Sequence, residues 1–406
     1  MNRPILISIT GMDRPGITAS VTQALAGFGV DILDIGQSVI HDALSLGMLV
    51  QAPASGAEAQ SVRDAVQKTI DELNLTVRFV NISRESYEAW VGRQGRPRHI
   101  VTLLARRITA HQISRLARII LDHNLNIEKI ARLSGRVPLE SIGGDGQACV
   151  EFTLRGPVAD LTALRRDFVE LADELDADIA YQEDNLFRRH RRLMAFDMDS
   201  TLIRQEVIDE LAKRVGVGKQ VAEITERAMR GEMDFKESLI QRVALLKGLP
   251  ESALAEAAES LQLTEGAERL FRILKRLGYK TAILSGGFNY FGSALQKRLG
   301  VDYLHANDLE IENGIVTGRV RGGIVDGERK ASLLAEIALR EGISLEQVVA
   351  VGDGANDLPM LSIAGLGIAF RAEPIVKESA KQSLNTLGLD GILYLMGLSE
   401  RETKSS

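Results

Sequence analysis

The sequence predicts an α/β protein in which two small β-α-β-β-α-β modules precede a parallel β-sheet with helices on both faces. Two observations lead to this prediction. Residues 1 to about 182 contain a weak internal repeat with an offset of about 95 residues. From Leu193 onward, short apolar runs alternate with helical patterns, which is typical of strands that are buried on both faces of a parallel sheet.

The repeat matches strand to strand and helix to helix. In the first copy, the predicted elements are a strand at 5–9, a helix at 19–28, strands at 31–39 and 45–51, a helix at 57–73 and a strand at 76–83. In the second copy, they are 100–104, 111–123, 126–130, 147–155, 158–175 and 178–182. This order is that of a split ferredoxin-like module, so we expect two such domains, at 1–92 and 97–183.

The rest of the chain predicts a third domain at 192–398. Its core strands are expected at 193–197, 280–285, 348–352 and 365–370. Residues 302–325 contain Asn313-Gly314, which predicts the turn of a β-hairpin. Residues from about 203 to 265 have helical patterns and are too many for an ordinary crossover, so they are interpreted as a helical cap.

Composition limits the possible functions. The 406 residues carry a net charge of −6, which gives no sign of a nucleic-acid or membrane partner. The single cysteine, Cys149, excludes an intrachain disulfide and is expected to be buried in a strand. No apolar run approaches the ~20 residues that span a bilayer, and the N-terminus becomes polar too soon for a signal peptide, so a cytoplasmic location is expected. The basic run at 188–192 is interpreted as a solvated linker.

Polar clusters follow the predicted core strands, at the edge where parallel sheets bind ligands. Asp197 and Asp199 come directly after the first strand, and two carboxylates at this spacing can bind a hard cation. The alternative is a turn or a helix cap. Ser285 and Gly286 follow the second strand, and a hydroxyl with nearby amides suits a phosphate oxygen, although a glycine-rich turn is the simpler interpretation.

Two further clusters complete the pattern. Lys330 opens a predicted helix and could neutralise a phosphate, although a single lysine is usually just solvated. Asp353, Asn356 and Asp357 lie in a glycine-containing loop after the third strand. Asp353 could complete a metal site, Asn356 could donate to phosphate, and Asp357 could orient Lys330 or a metal-bound water. The alternative for this loop is a plain turn with a helix cap.

In this order, the four clusters resemble the haloacid dehalogenase superfamily of phosphatases, over residues 192–397. The resemblance implies a Rossmann-like sheet with a C1-type helical cap, and a Mg²⁺ ion held by Asp197, Asp199 (through its backbone carbonyl) and Asp353. It also implies that Asp197 is the nucleophile that forms an aspartyl-phosphate, and that Asp199 is proton donor and then base. Phosphate contacts are implied for Ser285, Gly286, Lys330 and Asn356, supported by Asp357.

The predicted cap is similar to that of the phosphoserine phosphatase branch. That resemblance implies that Glu206 binds the substrate ammonium group, that Arg242 binds its carboxylate, and that Met229 and Phe235 close apolar surface over the site. The implied reaction is hydrolysis of phosphoserine, the last step of serine biosynthesis. Considered singly, the simpler interpretations are favoured: a helix charge for Glu206, a surface residue for Arg242 and the core of the cap for Met229 and Phe235.

The N-terminal loop resembles the ligand loop of ACT domains, which bind amino acids between paired copies. Its residues are Asp13, Arg14, Pro15 and Gly16. The resemblance implies an amino-acid effector such as serine at an interface, and a homodimer or higher homo-oligomer. A Pro/Gly turn in which Asp13 caps the helix is the alternative. The matching stretch of the second copy, 107–112, lacks this set, so ligand binding there is doubtful.

Two other functions remain open on the sequence. The chain could hydrolyse another small phosphorylated metabolite or a phosphoprotein by the same chemistry. It could also be an amino-acid-sensing binding protein with an inactive phosphatase fold, although the intact set of Asp197, Asp199, Lys330 and Asp353 argues against this.

Overall fold

The computed structural model describes residues 4–53, 55–141, 146–230 and 232–404, with only the backbone described for Ser141 and Met229. The chain divides into two compact units, Met1–Arg96 and Pro97–Ser406. The boundaries expected from the sequence for three domains, at 1–92, 97–183 and 192–398, stay a prediction. In the described ranges, no helix has the length and apolar character needed to cross a bilayer.

The first unit is an antiparallel sheet with two helices that connect its strands, followed by a C-terminal helix. Its elements are β1 (Pro4–Met12), α1 (Ile17–Ala26), β2 (Asp31–Ile40), β3 (Ala43–Gln51), α2 (Gly56–Glu72), β4 (Thr76–Asn81) and α3 (Arg84–Gly92). The strand order is β2-β3-β1-β4. Alternate residues of β3 are buried, and they form the core with apolar residues of α1 and α2. This confirms the first β-α-β-β-α-β module.

The second unit begins with a module of the same topology. Its elements are β5 (Arg98–Ala105), α4 (Ala110–Asp122), β6 (Asn126–Arg132), β7 (Ala148–Arg155), α5 (Leu161–Leu175) and β8 (Asp178–Glu183), in the sheet order β6-β7-β5-β8. Cys149 lies in β7 and is fully buried, as expected. Seven of the eight residues of β5 are buried, because one face of this sheet packs on α4 and α5 while Leu104, Cys149 and Ala180 join the core of the following domain.

A seven-stranded sheet forms the rest of the second unit, in the order β12-β11-β10-β9-β13-β14-β15. The strands are β9 (Leu193–Phe196), β10 (Lys280–Phe288), β11 (Tyr303–Glu312), β12 (Ile315–Arg321), β13 (Val348–Gly352), β14 (Leu366–Phe370) and β15 (Gln382–Leu384). All four residues of β9 are buried, and they alternate between the cores on the two faces of the sheet. The parallel pairing of β9 with β10 and β13 brings their carboxyl ends to one edge.

Helices cover this sheet and its carboxyl edge. The cap helices are α6 (Val207–Arg214), α7 (Gly218–Met229), α8 (Phe235–Ala244) and α9 (Glu251–Ser260). The remaining helices are α10 (Ala267–Arg276), α11 (Asn289–Leu299), α12 (Gly327–Arg340), α13 (Leu358–Ile363), α14 (Pro374–Ser379), α15 (Ile392–Leu395) and α16 (Glu400–Lys404). Between β11 and β12, Asn313 and Gly314 both have positive φ, which is the turn that their sequence predicts.

The second module is joined to the seven-stranded sheet by buried polar contacts. The side-chain amide of Gln382 accepts from Tyr181 N at 2.8 Å and donates to Tyr181 O. The buried carboxylate of Asp178 accepts from the backbone N–H groups of Asn385 and Thr386 at 2.7 and 2.8 Å. Because these groups are satisfied only across the boundary, the module is an integral part of the second unit.

The prediction of a solvated linker at 188–192 is wrong for two of its arginines. Arg188 is 2% exposed and pairs with Glu151 of β7, and Arg191 is 6% exposed and donates to the backbone oxygen of Glu346. A charge run is normally solvated because burial of a cation is costly. Here a partner that is distant in sequence accepts one hydrogen bond from each guanidinium group, so local composition could not reveal their burial.

Candidate active site

Four predicted site residues meet at the carboxyl edge of the seven-stranded sheet. Asp197 follows β9, Lys330 lies in the first turns of α12, and Asp353 and Asp357 follow β13. Oxygen atoms of Asp197, Asp353 and Asp357 lie within 4.8 Å of one another. Asp199 follows in the turn Met198–Leu202. The structure thus gathers the groups that the sequence separates by up to 160 residues.

Lys330 is held inside this acidic cluster. Its side chain is fully buried, and its Nζ lies 2.7 Å from Asp357 Oδ1 and 3.0 Å from Asp197 Oδ1. Burial alone would lower the pKa of Lys330, but the charges of Asp197 and Asp357 raise it on balance, so the ammonium group stays charged. The other oxygen of Asp357 accepts from the backbone N–H groups of Asp353 and Gly354, both at 3.1 Å.

The acidic cluster fits a hard divalent cation. The pKa of Asp353 is raised to about 8 and that of Asp357 to about 6, first by burial and then by the negative charge of neighbouring carboxylates. Asp197 Oδ1 is within ion-pair distance of Lys330 but receives no well-directed hydrogen bond. A cation that prefers oxygen ligands would bind Asp197 Oδ1 and reduce the repulsion among these carboxylates. Asp357 belongs to this cluster beside the predicted ligands Asp197 and Asp353, whereas a carbonyl contribution from Asp199 stays a prediction.

Asp199 is surrounded by groups that favour its protonated form. Its pKa is raised well above the usual range by desolvation, then by the charges of Glu206 and Asp197. Its Oδ1 accepts from Val207 N at 3.2 Å, which ties it to the start of the first cap helix. A carboxyl group whose pKa is raised in this way, within a cavity, is suited to general acid catalysis.

The predicted phosphate-binding residues Ser285, Gly286 and Asn356 line the same cavity as Asp197 and Asp199. Ser285 is fully buried at the end of β10, where its Oγ accepts from Gly287 N at 2.9 Å. Gly287 also lines this cavity. Between Leu284 and Phe288, the register of β10 against β11 shifts, so these residues bulge toward the site.

The cap covers a cavity of about 860 Å³. Predicted catalytic residues, such as Asp197 and Asp199, and predicted cap residues, such as Glu206 and Arg242, line this same cavity. Glu206, Phe235 and Arg242 line it from the cap side. Burial in the cleft raises the pKa of Glu206 and lowers that of Arg242, although neighbouring acids keep the guanidinium charged. Phe235 packs against Gly286, where an added Cβ would lie 2.5 Å from the ring. The side chain of Met229 lies outside the described residues.

Two residues of the turn after β9 contribute contacts that the sequence reasoning missed. Ser200 Oγ donates to Glu206 Oε1 at 2.6 Å, and Thr201 Oγ1 donates to Asp353 Oδ1 at 2.7 Å. Thr201 is fully buried, and Ser200 has a φ of 53°. A signal existed, since both follow the Asp-x-Asp pattern directly, but only the fold shows which acids they orient.

The predicted effector loop lies in the first unit. Gly16 is the N-cap of α1 with a φ of 96°, and no side chain caps this helix. Asp13 is exposed, and its N–H donates to Asp42 O at 2.8 Å, so it does not cap α1 as the alternative interpretation required. Arg14 donates to Leu73 O. Pro15 is exposed between them.

Comparison with known proteins agrees with this geometry. A model of the haloacid dehalogenase-like hydrolases matches residues 194–362, and a model of the ACT domain matches residues 3–80. These matches define the class of the catalytic part and of the first module.

Relatives of similar length identify the family. A phosphoserine phosphatase of Streptomyces coelicolor is 41% identical over 402 residues, which cover 99% of this chain and 94% of that protein. The phosphoserine phosphatase SerB2 of Mycobacterium tuberculosis is 40% identical, with 99% and 95% coverage. A crystal structure of a probable phosphoserine phosphatase from Vibrio cholerae matches with a TM-score of 0.59 at 32% identity, covering 76% of this chain and 89% of that one. The chain therefore belongs to the phosphoserine phosphatase family of haloacid dehalogenase-like hydrolases.

Proposed function

We propose that this enzyme hydrolyses O-phospho-L-serine to L-serine and phosphate through an aspartyl-phosphate on Asp197, and so completes serine biosynthesis. One observation carries the proposal. A single cavity is lined by Asp197, Asp199 and Asp353 together with Glu206 and Arg242. A phosphate ester that also carries an ammonium and a carboxylate group matches this combination of side chains. The names of the full-length relatives support the same substrate.

In the first step, a carboxylate oxygen of Asp197 attacks phosphorus and the serine oxygen leaves. Protonated Asp199 gives its proton to the leaving oxygen, and its raised pKa supports that role. Lys330, Ser285 and Asn356 bind the phosphoryl oxygens and stabilise their charge. A Mg²⁺ ion held by Asp197 and Asp353, with Asp199 contributing its backbone carbonyl, would supply further charge neutralisation.

In the second step, water hydrolyses the aspartyl-phosphate. Asp199, now deprotonated, takes a proton from the attacking water, and Asp197 leaves as a carboxylate. Splitting one slow hydrolysis into two displacements lowers each barrier. Asp357 keeps Lys330 in place during both steps through the 2.7 Å contact of their side chains.

The cap selects the leaving group. Glu206 binds the ammonium group and Arg242 binds the carboxylate through two parallel hydrogen bonds. Phe235 covers the site and excludes water. The N-terminal ACT modules are proposed to regulate the enzyme through serine bound near Asp13–Gly16 between paired copies, and to hold it in a homodimer or a higher homo-oligomer.

A substrate panel tests this proposal. Phosphate release from L-phosphoserine with Mg²⁺ should be lost in Asp197→Asn. Phosphoethanolamine lacks the carboxylate group and phospholactate lacks the ammonium group. We therefore expect Arg242→Ala to lower kcat/KM for phosphoserine and phospholactate but to leave it nearly unchanged for phosphoethanolamine. Glu206→Gln should lower kcat/KM for phosphoserine and phosphoethanolamine, which carry the ammonium group, and leave it nearly unchanged for phospholactate. Equal losses on all three esters would contradict the substrate assignment while leaving the phosphatase chemistry intact.

The regulatory part needs a separate measurement. Calorimetric titration of L-serine into the full chain should give binding heat that Asp13→Ala removes, and sedimentation should show an assembly larger than one chain. If serine gives no binding heat and the protein sediments as a single chain, the modules have no regulatory role.

A further inference from the structure

Asn307 is a buried polar residue beside the active site that the mechanism above does not use. It lies on β11, opposite Phe288 of β10, and is 1% exposed. Its side-chain amide makes two hydrogen bonds to backbone groups of different segments. Nδ2 donates to Gly286 O at 2.7 Å, and Oδ1 accepts from Val325 N at 2.8 Å. Both partners belong to segments that reach the phosphate site.

The first contact fixes the orientation of the Gly286–Gly287 peptide, which borders the cavity. In a trans peptide, the carbonyl oxygen and the following N–H point in opposite directions. Because Asn307 holds Gly286 O on one side of the bulge, the N–H of Gly287 must point to the other side, where it meets Ser285 Oγ at 2.9 Å. This peptide lies between two glycines at a break in the strand pairing, so it has little else to prevent it from turning over.

The second contact fixes the start of the helix that carries the active-site lysine. Val325 is followed by Asp326, whose side chain caps α12 by accepting from Arg329 N at 2.8 Å. Lys330 comes four residues after this cap and is fully buried. The hydrogen bond from Val325 to Asn307 therefore sets where α12 begins relative to β11, and through it where the Lys330 side chain enters the site.

Few side chains could replace this amide. It needs one donor and one acceptor on the same planar group, in a place where no water can take over either contact. Aspartate keeps the acceptor for Val325 but brings a carboxylate against the carbonyl oxygen of Gly286. Leucine has a similar volume and offers neither contact, so that Val325 N would be buried without a partner and Gly286 O would no longer be held by this side chain.

We infer that Asn307 is a positioning residue for phosphoryl transfer, which holds the Gly287 amide and Lys330 at the separation that the phosphoryl group requires. The inference rests on the proposed function only in that the enzyme must cleave a phosphate monoester. It concerns the phosphoryl end of the site and is independent of the alcohol that leaves.

The test compares Asn307→Asp and Asn307→Leu with a matched control. Asn289 of α11 also uses its amide, donating to Ala306 O at 3.0 Å and Asp308 Oδ1 at 2.7 Å, but it contacts neither Gly286 nor Val325, and Asn289→Leu is the control. Kinetics are measured on phosphoserine and on p-nitrophenyl phosphate, with orthovanadate as the inhibitor. Unfolding temperatures are measured on the same samples. If Asn307→Leu is not recovered folded, Asn307→Ser replaces it.

We expect both Asn307 variants to lose kcat by about 100-fold on either ester, comparable to the loss of one oxyanion donor. The inhibition constant of orthovanadate should rise at least tenfold, while KM for phosphoserine changes less because the cap contacts remain. Both variants should also unfold at a lower temperature, the leucine variant because Val325 N loses its partner and the aspartate variant because its buried carboxylate meets Gly286 O. The control should keep kcat and vanadate inhibition within about twofold of wild type.

Folded Asn307 variants with wild-type kcat and vanadate inhibition would overturn the inference, and so would a loss of unfolding temperature alone. Wild-type enzyme that cleaves p-nitrophenyl phosphate but not phosphoserine would overturn only the proposed substrate. The two failures are therefore distinguishable.

Discussion

Lys330 Nζ lies 2.7 Å from Asp357 Oδ1, and neither side chain is exposed to solvent. This contact joins the start of α12 to the loop after β13, and Asp197 lies on the other side of the same ammonium group. A buried cation with two acidic partners is stable only while the set is complete, because each lost partner leaves a charge without compensation.

Removing Asp357 should therefore cost both stability and activity. We expect Asp357→Ala to lower the free energy of unfolding by about 3 kcal/mol, the usual cost of breaking a buried ion pair. The double variant Lys330→Met with Asp357→Leu should be less destabilised than the sum of its single changes. Urea unfolding of Lys330→Met, Asp357→Leu and the double variant measures this coupling, and strictly additive effects would contradict it.

Ser200 should act on substrate affinity through Glu206. Ser200→Ala removes the 2.6 Å hydrogen bond to Glu206 Oε1 but keeps the same backbone strain, because alanine and serine pay alike for a φ of 53°. We expect KM for phosphoserine to rise about tenfold, or ~1.4 kcal/mol, with inhibition by inorganic phosphate unchanged. Ser260→Ala in α9, whose hydroxyl bonds within the cap, is the control. A loss of kcat with normal KM would refute this role.

Gly286 should be intolerant of a side chain because Phe235 packs on it. The Cβ of Gly286→Ala would lie 2.5 Å from the ring of Phe235, so the cap could not close as it does here. We expect kcat/KM to fall at least tenfold, and a second change, Phe235→Leu, to restore part of it. Gly36→Ala, where no atom lies within 4 Å, is a neutral control. If the double variant is no better than the single one, the packing explanation fails.

Binding of Mg²⁺ should strengthen as pH rises. The pKa of Asp353 is about 8 in the protein, against about 4 for a free aspartate, so below pH 8 a cation must displace a proton. The same raised pKa means that the metal-free protein loses stability as pH rises from about 4 to 8. Affinity should therefore increase by about tenfold per pH unit between pH 6 and 8, and Mg²⁺ should raise the unfolding temperature more at pH 8.

Calorimetry at three pH values checks this expectation. The variant Asp353→Asn should bind Mg²⁺ weakly, with a flatter dependence on pH. An affinity of the wild-type enzyme that does not change between pH 6 and 8 would contradict the assignment of Asp353 as a ligand.

Gln382 should hold the second module to the seven-stranded sheet. Gln382→Leu leaves both backbone groups of Tyr181 buried without partners, for which we expect a loss of about 2–4 kcal/mol in the free energy of unfolding of the second unit. Gln67→Leu, at an exposed position of α2, should change stability by less than about 0.5 kcal/mol. Equal stability of the two variants in chemical denaturation would argue against an integral module.

Local patterns were enough to predict much of this fold. The strand β13 is a continuous apolar run. Asn313 and Gly314 form the turn between β11 and β12, because both residue types tolerate positive φ. The site residues follow such strands, so the topology of a parallel sheet brings them together without further information. Whether Glu206 and Arg242 bind substrate stays a prediction, although both line the cavity.

Other features depend on partners that are distant in sequence. Arg188 is buried because Glu151 accepts from it, and β15 exists because the edge of β14 is available for pairing. The helix α3 has only a local signal, the cap formed when Ser83 Oγ accepts from Ser86 N at 3.1 Å, and it was not predicted. The bulge at Gly286 needs Asn307, twenty-one residues further along the chain.

The acceptor role of Asp178 has a consequence for the order of events during synthesis. Its partner Asn385 is 207 residues further along, so the ribosome releases the whole second module long before the backbone N–H groups that its carboxylate requires. Until then, a charged group that will be sealed inside must remain in water, and the module cannot reach its final packing. The packing of this module is thus completed only after Asn385 and Thr386 have been synthesised, and such long-range contacts are expected to make refolding slow.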